Sequence, residues 1–460
     1  MSTLNSAQLT LPVTHFNADG IGCARHEGLT LKLPGTVPGD TALVEFDTSV
    51  KPWRLKTLSI TERASTRRNS LCCPHLSGSP ICGGCTWGML SEQEQARLKQ
   101  QLLTNALAEA GISLPFTPEH IPAKETRYYR SKASFVPMKT PDGHWQWALY
   151  APLTHERIPV THCQAIAPWM NEAAAAVAAC LAHQDLSIYD EQKHEGVVRG
   201  LLMREGVVAG QSERMVILIV NGDAELLAER LGAALSAALD SLQVKAIGLN
   251  AHQAPSNAVL GRQTVMLTDT TTICTDIDGC RFTVGPNTFL QIHRTQMEKL
   301  YQLALDWAAL TEQSRFLDLY CGIGTMTILG ARVARQAIGV DIVAESILAA
   351  QENARLNGVA DKTDFFAGPV EQVLPALLTK GVRVDRIIVD PAYRGMEENV
   401  PAMLGALGAT RLVYVSCNPK SFARDAARLL EQGFQIERLA TLDLFPDTAH
   451  VETVALMSRA

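Results

Sequence analysis

The 460-residue sequence has no hydrophobic run long enough to cross a bilayer. Its most apolar stretch, AAAAVAACLA at 173–182, falls short of the roughly 20 residues a spanning helix needs and reads as a buried helix. The opening MSTLNSAQLTLPVTH has neither a basic flank nor a sustained apolar core, so no secretory signal is expected and the cytoplasm is the default compartment. No internal period of roughly 20–50 residues recurs, which excludes solenoids and propellers. A general excess of positive charge is also absent: the net charge is −6, so this is not a uniformly basic nucleic-acid coat. With 47% hydrophobic and 19% charged residues the chain is not disordered, and its length allows two or three domains. Eleven cysteines in a chain expected in a reducing compartment point to metal or catalysis rather than disulfides.

Positive charge is instead local. KPWRLKTLSITERASTRR (51–68) carries Lys51, Arg54, Lys56, Arg63, Arg67 and Arg68 against Glu62 alone. KETRYYRSK (124–132) mixes Lys124, Arg127, Arg130 and Lys132 with Tyr128 and Tyr129, a combination suited to phosphates and stacked bases. Either stripe can equally be a solvated charged face.

Three regions follow from texture. Residues 1–68 read as short alternating strands (LTLKL, TALVEF) broken by DGIG, PGTVPGD and DTSVKPW, the pattern of a small oligonucleotide-binding type of β-barrel. Residues 69–285 begin with a cysteine-dense segment, then a helix in SEQEQARLKQQLLTNALAEAG that stops at Gly111, then an α+β mixture. In that mixture YYRSKASFVPM, WQWALYAP, MVILIV and KAIGLN read as strands. From 286 to 460, strands FLDLY, AIGVD, DRIIVD and LVYVS alternate with helices, predicting a doubly wound α/β domain with its ligand at the carboxyl ends of the strands.

RFLDLYCGIGTMTI (315–328) is a strand and a Gly-x-Gly turn entering a helix. Gly322 and Gly324 permit positive φ and close backbone approach to a ligand. Asp341, ending the next strand, can accept hydrogen bonds from both hydroxyls of a ribose. A dinucleotide site would want a third glycine where Met326 and Thr327 stand, and Asp318 repels phosphate while suiting an ammonium. S-adenosylmethionine fits these residues better than NAD. Elsewhere, CPHLSGSPICGGC spaces Cys73, Cys82 and Cys85 as C-x8-C-x2-C, a knuckle that could wrap iron–sulfur or zinc. In VYVSCNPKSF (413–422) a thiol, Cys417, ends a strand just before Asn418-Pro419 turns the chain, where it could simply be a small apolar cap.

LYCGIGT, VSCNP and the C-terminal HVET (450–453) together resemble the RNA uracil-5-methyltransferases. The upstream features resemble the branch with an N-terminal TRAM domain and a [4Fe–4S] cluster, typified by the 23S ribosomal RNA enzymes. The similarity runs from GIGCARHEG to AHVETVALMSR and is weakest over about 170–280.

That resemblance implies a Rossmann-like methyltransferase domain, Cys417 as nucleophile and Glu452 as general base. It implies S-adenosylmethionine contacts at Gln291, Tyr320, Thr325, Asp341 and Asp390, and cluster ligation by Cys73, Cys82, Cys85 and Cys163, with Cys72 an alternative to Cys73. It further implies a cytoplasmic monomer acting on structured RNA, with 23S ribosomal RNA the expected substrate and transfer RNA the open alternative, and with no membrane. The chemistry requires such residues. Carbon 5 of uracil is too weak a nucleophile to take a methyl group unaided, and adding a thiolate at carbon 6 makes it carbanion-like. A cysteine is partly thiolate near neutral pH where a serine is not. A base must then remove the carbon 5 proton so that the thiol can leave.

Two positions depart from the family pattern. Gln291-Ile292-His293 stands where the family has Gln-Val-Asn, and Arg394 is displaced by one in Asp390-Pro391-Ala392-Tyr393-Arg394-Gly395. The second resembles the Asp-Pro-Pro-Tyr of amino-methyltransferases, a rival chemistry with no use for Cys417 or Glu452. A non-enzymatic RNA-binding protein is the other alternative, and it predicts loss of the nucleophile or the base.

Overall fold

A computed structural model describes residues 6–459 apart from 18, 48–53, 72, 79 and 257. Lys51 of the first basic stripe and Cys72, the alternative thiolate, lie outside the described residues. The chain opens with five antiparallel strands, Ser6–Phe16, Gly22–His26, Leu29–Leu33, Thr41–Asp47 and Arg54–Glu62, ordered third, second, first, fourth, fifth. Alternation sends Leu31, Leu33, Ala42, Val44 and Phe46 into one small core. The outer strands Leu29–Leu33 and Arg54–Glu62 approach one another, so the sheet curls.

The first basic stripe does not stay on the surface as a unit. The Asp40 carboxylate, 1% exposed, accepts from the backbone of Val37 and Ala64 and from Arg67 at 2.6 and 2.8 Å. Arg68 pairs at 2.6 Å with Asp447, far along the chain. Arg67 and Arg68 are therefore structural ions, while Lys56 and Arg63 remain exposed.

The middle region forms a seven-stranded sheet containing all four strands expected there, among them Lys132–Lys139, Trp145–Tyr150, Gln211–Val220 and Val244–Ala251. Helices Pro168–Ala182 and Ala224–Leu239 cover one face. The opposite face, with Leu202, Met215, Ile217 and Ile219, packs into the same core as the C-terminal region.

The C-terminal sheet has eight strands, in the order Thr363–Ala367, Gln336–Asp341, Arg315–Leu319, Arg386–Val389, Arg411–Ser416, Glu452–Ser458, Gln435–Leu442, Glu119–Ile121. The four strands read from sequence are parallel neighbours; Glu452–Ser458 runs antiparallel between two of its companions. Chain order reverses between Arg315–Leu319 and Arg386–Val389, the switch point where such sheets hold ligands. Two segments from within 69–285 join this core. Helix Glu92–Glu109, capped by the Ser91 hydroxyl and ended by Gly111 at φ +74, buries Leu103, Ala106 and Leu107 there. Strand Glu119–Ile121 adds the last edge.

Candidate active site

The cofactor loop is tightly folded. Tyr320, Gly322 and Gly324 all have positive φ, and a Cβ at Gly324 would come within 3.0 Å of Ala350 and 3.1 Å of Phe365. Asp341 fastens the loop, accepting from the Gly322 backbone at 2.9 Å and from Val343 at 2.8 Å. Asp318, fully buried beneath it, accepts from the Thr327 hydroxyl at 2.5 Å and leaves its other oxygen without a partner among the described residues. Burial, with Asp390 nearby, raises its pKa to about 7.

Cys417 leaves strand Arg411–Ser416 at its carboxyl end. Asn418 caps the following helix Pro419–Glu431 by accepting from Lys420 at 3.0 Å, and its amide donates to the Tyr393 carbonyl at 3.0 Å. The turn thus ties Cys417 to the Asp390–Gly395 loop. Ser416 is the register partner of Thr453, which brings Glu452 to the level of Cys417 on the adjacent strand. Glu452 is 1% exposed, and neither carboxylate oxygen has a hydrogen-bond partner among the described residues. Burial and then Asp390 push its pKa well above the usual range. The Cys417 thiol is pushed up to about 12 by burial, then by Glu452 and Asp390. Asp390 itself is raised by burial to about 7.

Gln291 is 6% exposed and Thr325 5%, and Thr325 begins the helix after the glycine loop. One residue the sequence did not single out belongs to this group. Burial and then Asp390 push up the phenol of Tyr301, from helix Arg294–Ala308, with Thr325, Asp318 and Glu452 also acting on it. On an amphipathic helix a tyrosine reads as core, so no local signal marks it. Tyr393 of the rival motif is 59% exposed. The cleft thus gathers several buried carboxyls and a thiol, all biased towards their protonated forms. A cationic ligand entering it would favour the ionised forms.

The four predicted cluster cysteines come from three separate segments and line one cavity of about 60 Å³ together with Arg130 and Asp447. Cys82 and Gly83–Cys85 form a short turn, with the Gly84 amide donating to the Cys82 sulfur at 3.4 Å. Cys163 is held through its backbone by the Asn171 amide at 2.7 and 3.1 Å. Cys73 lies 3.2 Å from His75 Nδ1. Burial raises the pKa of Cys82 to about 11 and also raises those of Cys73 and Cys85. Among the described residues no group of three or more His, Cys, Asp or Glu side chains is placed to hold a metal ion. The cavity is several times the volume of one water, and four cysteines among its lining residues are the donor type an iron–sulfur cluster or zinc takes.

The second basic stripe also divides. Lys124, Arg127 and Tyr128 are exposed, Tyr129 is buried, and burial beside Arg204 lowers the pKa of Lys132 to about 8. His293 is 1% exposed, stacked on Tyr129 at 4.7 Å, and its Nε2 donates to the Glu125 carbonyl at 2.9 Å. This departure from the family pattern is a packing residue.

Residues 262–460 match the family model described as tRNA (uracil-5-)-methyltransferase. An uncharacterized RNA methyltransferase of Gloeobacter violaceus is 33% identical over 461 residues, spanning 99% of this chain and 98% of that one. Another, of Caldanaerobacter subterraneus subsp. tengcongensis, is 31% identical over 450 residues and 97% of both chains. The fold is shared with Pyrococcus abyssi tRNA (uracil-54, C5)-methyltransferase, solved with S-adenosyl-L-homocysteine. The TM-score is 0.73 at 23% identity, over 98% of this chain and 100% of that one.

Proposed function

The chain belongs to the RNA methyltransferase family of these relatives and is an S-adenosylmethionine-dependent RNA (uracil-5-)-methyltransferase, and on that premise we propose which residues carry the reaction and on which RNA. Cys417, its proton given up to solvent on ionisation, adds as a thiolate to carbon 6 of the target uracil, and the electron pair of the 5,6 double bond moves to form an enolate. Carbon 5 then takes the methyl group from the sulfonium, releasing S-adenosylhomocysteine. Glu452 removes the carbon 5 proton, and the electron pair of that bond re-forms the double bond and expels the Cys417 thiolate. Gln291, Tyr320, Thr325, Asp341 and Asp390, with the Gly322–Gly324 turn, hold the methyl donor. The observation that supports this assignment is the Ser416–Thr453 register, which sets thiol and carboxyl side by side at the end of the sheet where the cofactor loop opens.

Cys73, Cys82, Cys85 and Cys163 hold a [4Fe–4S] cluster, which supplies a rigid crosslink between three segments of chain and takes no part in methyl transfer. The thiol-lined cavity supports this reading. The curled N-terminal sheet is a TRAM-type module that, with exposed Lys56, Arg63, Lys124 and Arg127, grips RNA flanking the target. The protein works as a monomer in the cytoplasm on structured 23S ribosomal RNA, whose target uridine leaves its stack to reach the cleft. Mapping 5-methyluridine in RNA from cells with the protein, without it, and with Cys417→Ala tests this. One ribosomal uridine should lose its methyl group in both deficient strains. Loss confined to transfer RNA would overturn the substrate assignment.

A further inference from the structure

The loop that follows Asp390 is clasped to the helix that follows Cys417. Asp425, on helix Pro419–Glu431, is fully buried, and one of its carboxylate oxygens accepts from the Met396 backbone and from the Tyr414 hydroxyl, both at 2.7 Å. Its other oxygen takes the Arg424 guanidinium through Nε at 2.9 Å and Nη2 at 2.8 Å. That same Nη2 reaches on to the carbonyls of Arg394 at 2.7 Å and Met396 at 3.3 Å. At the start of the helix, the Asn418 amide donates to the Tyr393 carbonyl at 3.0 Å. Between these contacts Gly395 has φ +78, and a Cβ there would collide with Asp425 and Arg424. Residues 393–396 are therefore fitted to the helix through their backbone, while the Tyr393 and Arg394 side chains stay exposed.

The clasp joins two segments that the reaction needs at a fixed separation. Asp390 begins the loop and acts on both Cys417 and Glu452. Cys417 immediately precedes Asn418, the cap of the helix. Beyond the end of its strand the loop has no ladder to hold its backbone, so side-chain bonds of this kind set its place. A buried carboxylate that takes an N–H, a hydroxyl and a guanidinium together is a firm anchor, and the planar fork of Arg424 lets one side chain hold that carboxylate and two carbonyls at once. We propose that Asp425 and Arg424 are positioning residues that fix the Asp390–Met396 loop against Cys417, so that methyl donor and nucleophile meet the uracil at the reacting distance. This rests on the roles given above to Cys417 and Asp390.

The test measures methyl transfer from labelled S-adenosylmethionine, at saturating donor, to total RNA from cells lacking the protein. Asp425→Asn keeps an oxygen for Met396 and Tyr414 but turns an amide N–H towards Arg424, which cannot donate to it. Arg424→Met, at a side chain 45% exposed, removes the fork with little disturbance of the core. Each should lower kcat about 10- to 100-fold, the scale of a misplacement on the order of 1 Å, with KM for RNA unchanged. The double variant should be no worse than either single one, since both break the same contact. Tyr414→Phe is the control for plain destabilisation. It deletes a buried hydrogen bond to the same carboxylate, so its melting temperature should fall while kcat holds. Wild-type kcat in Asp425→Asn and Arg424→Met, with Cys417→Ala inactive, overturns the clasp and leaves the nucleophile standing. So does a kcat that merely tracks melting temperature across all the variants, or a raised KM at unchanged kcat, which would make Arg424 an RNA contact. Methyl transfer by Cys417→Ala overturns the reading on which the proposal rests.

Discussion

Glu452 opens its strand at the level where Cys417 closes the neighbouring one, because Ser416 and Thr453 are register partners in the antiparallel pair. Two groups 35 positions apart in sequence are thereby set at one end of one sheet, beside Asp390. Neither Glu452 oxygen is satisfied within the described protein, and the thiol is held protonated. A buried carboxyl in that condition is costly to the fold, a cost that fits the proton transfer proposed for Glu452.

The acids of the cleft make the empty protein and the loaded protein respond oppositely to pH. Asp318 and Asp390 have pKa values raised to about 7, so between the ordinary carboxylate range and about pH 7 the folded state binds more protons than the unfolded one. Stability of the empty protein should therefore fall as pH rises through that window. Bound S-adenosylmethionine, with its ammonium and sulfonium, favours the ionised acids. Its stabilising effect on melting temperature should accordingly grow from about pH 5 to pH 8, more than that of uncharged-sulfur S-adenosylhomocysteine. Thermal melts at several pH values with either ligand check this. Equal, pH-independent shifts would contradict it.

Removing Asp40 should destabilise the N-terminal sheet without touching RNA electrostatics. Its carboxylate satisfies Val37, Ala64 and Arg67 together, and breaking such a buried pair costs about 3–5 kcal/mol. Asp40→Ala should be cut by protease within residues 6–68 at lower temperature than wild type. By contrast, Lys56→Ala with Arg63→Ala should leave protease resistance alone and flatten the dependence of RNA affinity on salt by about one counterion per lost phosphate contact.

How much of this was legible in the sequence follows from where each signal resides. The Gly322–Gly324 turn and the Cys417 corner are local, since positive φ and a strand followed by Asn-Pro write themselves into a few adjacent residues. Strand Thr363–Ala367 was not read because TDFFA is short, half-exposed and without alternation. Arg67 and Arg68 looked like surface charge because their partners, Asp40 and Asp447, are distant in sequence. Tyr301 stayed hidden for the converse reason: it occupies an ordinary core position of a helix, and only the fold brings Asp318, Asp390 and Thr325 to it. Residues 129–131 read as RNA-facing, but Tyr129 turns inward to stack on His293.

The cysteine cavity should colour the protein. Prepared without air it should be brown with about four irons, and Cys82→Ser or Cys85→Ser should bleach it. Iron analysis and visible absorbance decide. A colourless protein holding one zinc would defeat the cluster assignment.

The reaction itself is tested most directly by trapping. Target RNA with 5-fluorouracil at the modified position should be methylated once and then remain covalently joined to the protein, because fluorine cannot leave as a cation for Glu452 to release the ring. The adduct should survive denaturing gel electrophoresis and carry the RNA on Cys417. Cys417→Ala should form no adduct and transfer no methyl group, while Glu452→Gln should accumulate a methylated adduct on ordinary uridine. If Cys417→Ala still methylates carbon 5, or if no adduct forms with wild-type protein under turnover, the account of this cleft is wrong.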